Sequence, residues 1–124
     1  MLTLINYLRV TPSVSLTDEI RATELIPPGD GRKLSANIIW ILANEEYLPH
    51  IHPSPHLIFI LGGGGWVQYG EDTDTFHTIE TGDTFYIPEN TRHQVGADDR
   101  GMIMIVTSTD SLALTDPARM TILK

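Results

Sequence analysis

No cysteine occurs in the 124 residues. Its absence removes disulfide frameworks, zinc ribbons, iron–sulfur clusters and thiol nucleophiles together, while leaving the compartment open. Positive charge is also scarce. Eight Lys and Arg are scattered among sixteen Asp and Glu, for a formal net charge of −8. Phosphate binding needs a basic face, so no nucleic-acid partner is expected. No apolar run approaches membrane-spanning length, so no membrane association is expected either. The opening stretch, Met1 to Val10, lacks the basic-then-apolar layout of a secretory leader, which makes a cytoplasmic protein the default expectation. No Gly-x-Ser-x-Gly elbow or phosphate loop is present. Gly62 to Gly65 follows an apolar stretch but lacks the Lys and Ser/Thr of a phosphate loop, and it reads as a tight hairpin.

The length suits one domain, residues 1–124. A barrel is expected over residues 34–107, with an N-terminal arm over 1–33 and a C-terminal tail over 108–124. In the arm, Leu4 to Leu8 suits a short strand or a helical turn. Ser15 to Ile20 carries polar starting residues that suit a brief helix, and Pro27-Pro28-Gly29-Asp30-Gly31 stops it. From Leu34 the pattern is strand and turn. Expected strands are Ile38 to Leu42, His56 to Leu61, Trp66 to Tyr69, Thr75 to Ile79, Thr84 to Ile87 and Met102 to Val106. Short β-branched and aromatic runs at near-regular spacing point to an all-β antiparallel sandwich or barrel.

Three of the five histidines fall within seven residues, in His50-Ile51-His52-Pro53-Ser54-Pro55-His56. On a strand, residues i and i+2 share a face about 6.6 Å apart, from a rise of roughly 3.3 Å per residue. Two imidazoles so placed can lean onto one ion at about 2.0–2.1 Å each. Pro53 and Pro55 forbid a regular helix between His52 and His56. They form instead a rigid bend after which His56 opens the next strand. If the bend folds the chain back, all three rings face one interior. By spacing alone they remain either ligands or hydrogen-bonded structural histidines. His77 reads as a surface residue or a neighbour of the site.

Two motifs then resemble those of the cupin superfamily. The first, G-x5-H-x-H-x3,4-E-x6-G, is met by Asn44 in the first glycine position, His50, His52, His56 in the glutamate position and Gly63. The second, G-x5-P-x-G-x2-H-x3-N, is met by Gly82, Pro88, Asn90 for glycine, His93 and Ala97 for asparagine. The resemblance spans about Leu34 to Val106 and implies a single-domain cupin, a double-stranded β-helix or jelly-roll barrel. Asn at two glycine positions is benign, because Asn tolerates the left-handed conformation. The exchange of Glu for His56 matters most, since that glutamate is the family's usual anionic ligand.

The resemblance thus implies one divalent transition metal on His50, His52, His56 and His93, as in small bacterial single-domain cupins with four-histidine sites. A three-histidine site with His56 merely nearby is the alternative. Imidazole suits Zn, Cu, Fe and Ni, family habit adds Mn, and the ligand set does not choose among them. Four neutral ligands leave the ion's charge uncompensated, so the site should favour an anionic oxygen of a small-molecule substrate. Glu45, Glu46, Asp83 and Glu89 read as turn or surface residues, so catalytic residues stay unassigned. Ile58, Ile60 and Val95 are expected on the interior face, with Trp40, Phe59, Trp66, Tyr86 and Met104 as wall or packing residues. The leading functional expectation is an oxygenase acting on a small carbonyl- or enol-type compound. The alternatives are a non-oxidative lyase or isomerase, such as a hydroxynitrile-lyase-like enzyme, and a non-catalytic small-molecule-binding cupin. A homodimer is expected, with Leu2 to Leu8 as a strand exchanged between copies and so covering an apolar sheet edge.

Overall fold

The computed structural model describes Asn6, Arg9 and residues 11–123. The segment Leu2 to Leu8, expected to supply an exchanged strand, lies outside these residues apart from Asn6. Among the described residues the regular structure is nearly all strand, in a nine-stranded antiparallel sheet that curls on itself. No helix there is long and apolar enough to cross a membrane.

Three strands run from the N-terminal region into the core: β1 (Val14–Ser15), β2 (Ile20–Glu24) and β3 (Ser35–Ile41). Ser15 to Ile20 is therefore not the brief helix its polar residues suit. Leu16 N and Thr17 N both donate back to Ile20 O, at 3.0 and 3.2 Å, closing a turn that starts β2. The physical reason is pairing: Ile20 is buried and opposite Ile41 in β3, and that contact outweighs a polar cap.

The remaining strands are β4 (His50–Ile51), β5 (His56–Tyr69), β6 (His77–Glu80), β7 (Thr84–Ile87), β8 (His93–Ser108) and β9 (Thr121–Ile122). Two of them, β5 and β8, are long and pair along most of their length. On its other edge β5 takes β7 against His56 to Phe59 and β6 against Gly64 to Val67. The C-terminal half of β8 pairs with β3, and at its other end His93 lies opposite His50. The β6 strand begins two residues later than its residue pattern proposes. The Asp72 carboxylate accepts from Asp74 N and Thr75 N, at 3.0 and 3.1 Å, holding that stretch in a turn.

The four-glycine run corrects another expectation. It is not a hairpin but the middle of β5, joining His56–Leu61 to Trp66–Tyr69 as one strand. The register slips against β8 between Ile60 and Gly62 and again between Gly63 and Gly65. At these bulges the backbones approach too closely for a side chain: a Cβ on Gly65 would stand 1.9 Å from Gly96 O. Glycine there permits the close approach without breaking the strand.

Alternation along β5 and β8 sends His56, Ile58, Ile60, His93 and Val95 inward, all buried. The stretch after β8, expected as a tail, returns to the barrel. A 3-10 turn over Pro117–Arg119, with Asp116 as N-cap, leads into β9, which lies beside β4 with Ile122 opposite His50. Leu123 N then donates to Pro49 O at 2.8 Å.

Candidate metal centre

Each of the four candidate histidines is placed by a different local device. His50 sits in β4 between β8 and β9. His52 follows β4 immediately, and the Pro53-Ser54-Pro55 bend then delivers His56 as the first residue of β5. His93 opens β8 after the Pro88-Glu89-Asn90 turn. That turn is tied to the ligand stretch by Asn90 N donating to His52 O at 2.7 Å. Asn90 and Asn44 are the two non-glycine residues with positive φ among the described residues, at 54° and 61°. Asn tolerates that conformation better than other side chains.

All four rings are buried. The ring nitrogens of His50, His52 and His93 come within 4.8 Å of one another. Ring centroids stand 4.1 Å apart for His50–His93, 4.7 Å for His50–His52 and 5.2 Å for His52–His93. His56 lies outside this triad. Its ring stacks on His52 with centroids 3.8 Å apart, and its Nε2 is buried without a hydrogen-bond partner. His77 is exposed and pairs along β6, away from the cluster.

The hydrogen bonds fix which nitrogen is free. Nδ1 of His50 lies 2.6 Å from Leu48 O, Nδ1 of His93 3.0 Å from Thr91 O and Nδ1 of His52 3.1 Å from Arg119 O. A carbonyl can only accept, so each Nδ1 carries the proton and each Nε2 lone pair is left over. Protonation of the rings is disfavoured as well. Burial, helped by the His93 ring, pushes His50 down to about 3. Burial and the neighbouring His56 take His52 to about 2, and burial and the Arg119 guanidinium take His56 to about 3. Burial lowers His93 too. The cluster is thus a set of neutral nitrogen donors, and a divalent transition ion is the kind of group such a set fits.

A cavity of about 40 Å³ opens onto the cluster, walled by Ile58, Val95, Met104 and Val106 from the long strands. Of the five expected wall residues, Met104 lines it. Phe59 and Tyr86 are instead exposed on the outer face, and Trp40 and Trp66 do not reach it. The expected surface acids Glu45, Glu46, Asp83 and Glu89 are exposed. Asp83 serves its own turn, where its carboxylate accepts from Glu80 N at 2.7 Å.

Two polar residues in the cavity wall escaped the sequence reading, Tyr47 and Arg119. Tyr47 is 9% exposed, its ring centroid is 4.9 Å from that of His50, and burial raises its hydroxyl above the usual phenol range. A buried-face aromatic three residues before the ligand pair was the available signal. Arg119 is 4% exposed and bonded to Asp110. Nothing local in the sequence connects it to residues 67 positions earlier.

No curated protein matches this chain. Among solved structures it resembles the polyketide cyclase RemF from Streptomyces resistomycificus, with TM-score 0.74 and 18% identity over 95% of this chain and 91% of that one. KdgF from Halomonas sp. gives TM-score 0.69 and 15% identity over 86% and 94%. A salicylate 1,2-dioxygenase from Pseudoaminobacter salicylatoxidans gives 0.72 and 16% over 89% of this chain and 31% of that one. At such identities the likeness establishes the fold. The sequence profile of the Cupin domain family matches residues 39–108, which contain both histidine stretches and both long strands. The chain belongs to the cupin family.

Proposed function

We propose that this protein is a metal-dependent enzyme that transforms a small carbonyl- or enol-type compound. His50, His52 and His93 hold one divalent transition ion, with His56 as a fourth imidazole beside His52. The observation that carries the proposal is the common tautomer of the triad. Three buried rings spend Nδ1 on backbone carbonyls and leave Nε2 free, all within 4.8 Å. The unpaired Nε2 of His56 supports its inclusion. Bound there, the ion supplies a Lewis acid for a carbonyl or enolate oxygen, or a redox centre for dioxygen. Neutral ligands leave the positive charge to attract an anionic oxygen, and the largely apolar wall suits a small, mostly apolar substrate.

Two reaction classes use such a centre. An oxygenase draws support from the all-imidazole donor set and from the likeness to a dioxygenase. A lyase or isomerase also needs a group that holds and moves a proton, and Tyr47, which lines the cavity beside His50 with its hydroxyl kept protonated by burial, is a candidate for it. That observation favours the non-oxidative reading. The deciding experiment compares turnover of 1,3-diketones and 2-oxo acids by metal-loaded protein in air and under argon. Unchanged anaerobic turnover removes the oxygenase, and loss of it removes the lyase. In the non-oxidative case Tyr47→Phe abolishes turnover and leaves metal content intact. Elemental analysis of protein purified without added metal or a nickel column tests the centre itself. His93→Ala should lower metal affinity by more than the ~10–100-fold typical of a change to a ligand's supporting partner. Equal occupancy in the variant would remove His93 from the ligand set.

A further inference from the structure

The three triad histidines are oriented in two different ways. His50 and His93 each donate Nδ1–H to a carbonyl two residues upstream, Leu48 O and Thr91 O. Their tautomers are therefore set by the chain's own local path. His52 donates to Arg119 O, 67 positions away in the segment that follows β8. We propose that this segment, residues 109–123, is a working part of the centre. Through Arg119 it selects the tautomer of His52, and Asp110, at the start of the segment, bonds both Arg119 and Ser54 of the ligand bend.

Arg119 has two handles. Its carbonyl meets His52, while its guanidinium Nη1 donates to both Asp110 oxygens at 2.8 and 2.9 Å. The Asn37 amide, turned so that its oxygen accepts, takes Nη2 at 3.1 Å. Asp110 gathers the surrounding pieces: it accepts from Ser54 Oγ in the ligand bend at 3.2 Å and from Leu112 N at 3.0 Å. Arg32 Nη2 lies 3.5 Å from it, and the same guanidinium bonds Leu112 O. The Arg119 and Asp110 side chains are 5% and 9% exposed. A buried ion pair adds little net stability against apolar packing, because desolvation offsets the attraction. What this pair contributes is position: it ties Arg119 to the start of its own segment, and Asp110 in turn is bonded to Ser54 of the ligand bend. The segment also places Leu114 and Met120 in the cavity wall beside the rings.

Such an orienting partner fixes which nitrogen is available and raises its donor strength. Release of the segment should therefore change His52 and leave His93, which is held by Thr91 O, unchanged, whereas His50 lies in β4, which pairs with the segment's own strand β9, and is not a control. The test uses metal-free full-length protein and two variants. Arg119→Met removes the guanidinium bonds to Asp110. Leu123→Pro deletes the donor to Pro49 O without touching the buried charges. Long-range proton–nitrogen correlation spectra report each ring's tautomer, hydrogen exchange reports docking of residues 109–123, and competition titration reports Zn²⁺ affinity.

The expected result is loss of amide protection in the segment, a mixed tautomer at His52 with His93 kept in its Nδ1–H form, and Zn²⁺ affinity lower by about 10–100-fold. The proposal is overturned if the segment is released while His52 keeps its Nδ1–H form, or if His93 changes tautomer together with His52. Protection that stays at the wild-type level in both variants overturns it too. If Arg119→Met does not fold, Leu123→Pro carries the same readouts. The proposal rests on the triad as metal ligands only for its affinity arm. Wild-type protein that refuses Zn²⁺ would end that reading while the tautomer result still decides this one.

Discussion

His56 presents a conflict between stability and binding. A buried imidazole nitrogen without a partner costs about 1–3 kcal/mol, and Nε2 of His56 is one at 2% exposure. The ring is also stacked on His52 and lowered to about 3 by burial and Arg119, so it enters the core neutral. Replacement by an apolar side chain of similar size should relieve the first cost. His56→Leu is expected to raise the urea midpoint of the metal-free protein and to weaken Zn²⁺ binding. Weaker folding together with wild-type Zn²⁺ affinity would make His56 a packing residue only. Residue type and spacing were enough to single out this histidine, because a Pro-x-Pro bend between rings is a local feature. They could not tell ligand from neighbour, because that depends on where the bend points the ring.

At the scale of elements, the glycine run shows how one composition serves two structures. Four consecutive glycines usually mark a turn. In the folded chain they let β5 bulge and run against β8, with the backbones so close that a methyl at Gly65 would strike Gly96 O at 1.9 Å. Neither backbone can yield without breaking the ladder. Gly65→Ala should thus destabilise by roughly 1–3 kcal/mol, the range of overpacked cores, measured by urea unfolding at constant m-value. A cost below about 0.5 kcal/mol would mean the bulge relaxes freely. The neighbouring turns were more legible. Asn44 and Asn90 stand where the two motifs place glycine, and both adopt positive φ. Short elements were not legible: β4 and β9 have two residues each, too few for any periodicity to emerge.

On the scale of the whole molecule, four imidazoles share one interior and one direction of titration. Their folded values lie below the ~6.5 of an exposed histidine, at about 3, 2 and 3 for His50, His52 and His56, with His93 lowered as well. The unfolded chain therefore binds more protons than the folded one below pH 6.5. Stability is full above that value and is lost as pH falls toward about 3. One uncoupled ring with a folded value near 3 would cost about 2 kcal/mol at pH 5. Metal-free protein should therefore show a clearly lower urea midpoint at pH 5 than at pH 7.5. Equal midpoints would mean the rings are solvated or charged in the fold. Saturating metal acts in the opposite direction, adding about 2.7 kcal/mol at a hundredfold excess over Kd. Thermal melts with Zn²⁺ and with chelator measure it.

Sequence by itself determined the fold class and offered four histidines as candidates. Alternation with period two, turn residues at regular intervals and histidines on two short motifs are local properties, readable wherever they occur. That alternation already placed Ile58 and Val95 on the interior face, where they line the cavity. The tertiary structure alone decided three things: which three rings converge, that the glycines lie inside a strand, and that residues 109–123 return over the site. Each depends on contacts between stretches far apart in the chain, such as Gly65 with Gly96 and His52 with Arg119. Such contacts form because curling the sheet buries apolar surface, and no window of neighbouring residues records which distant segment will meet them.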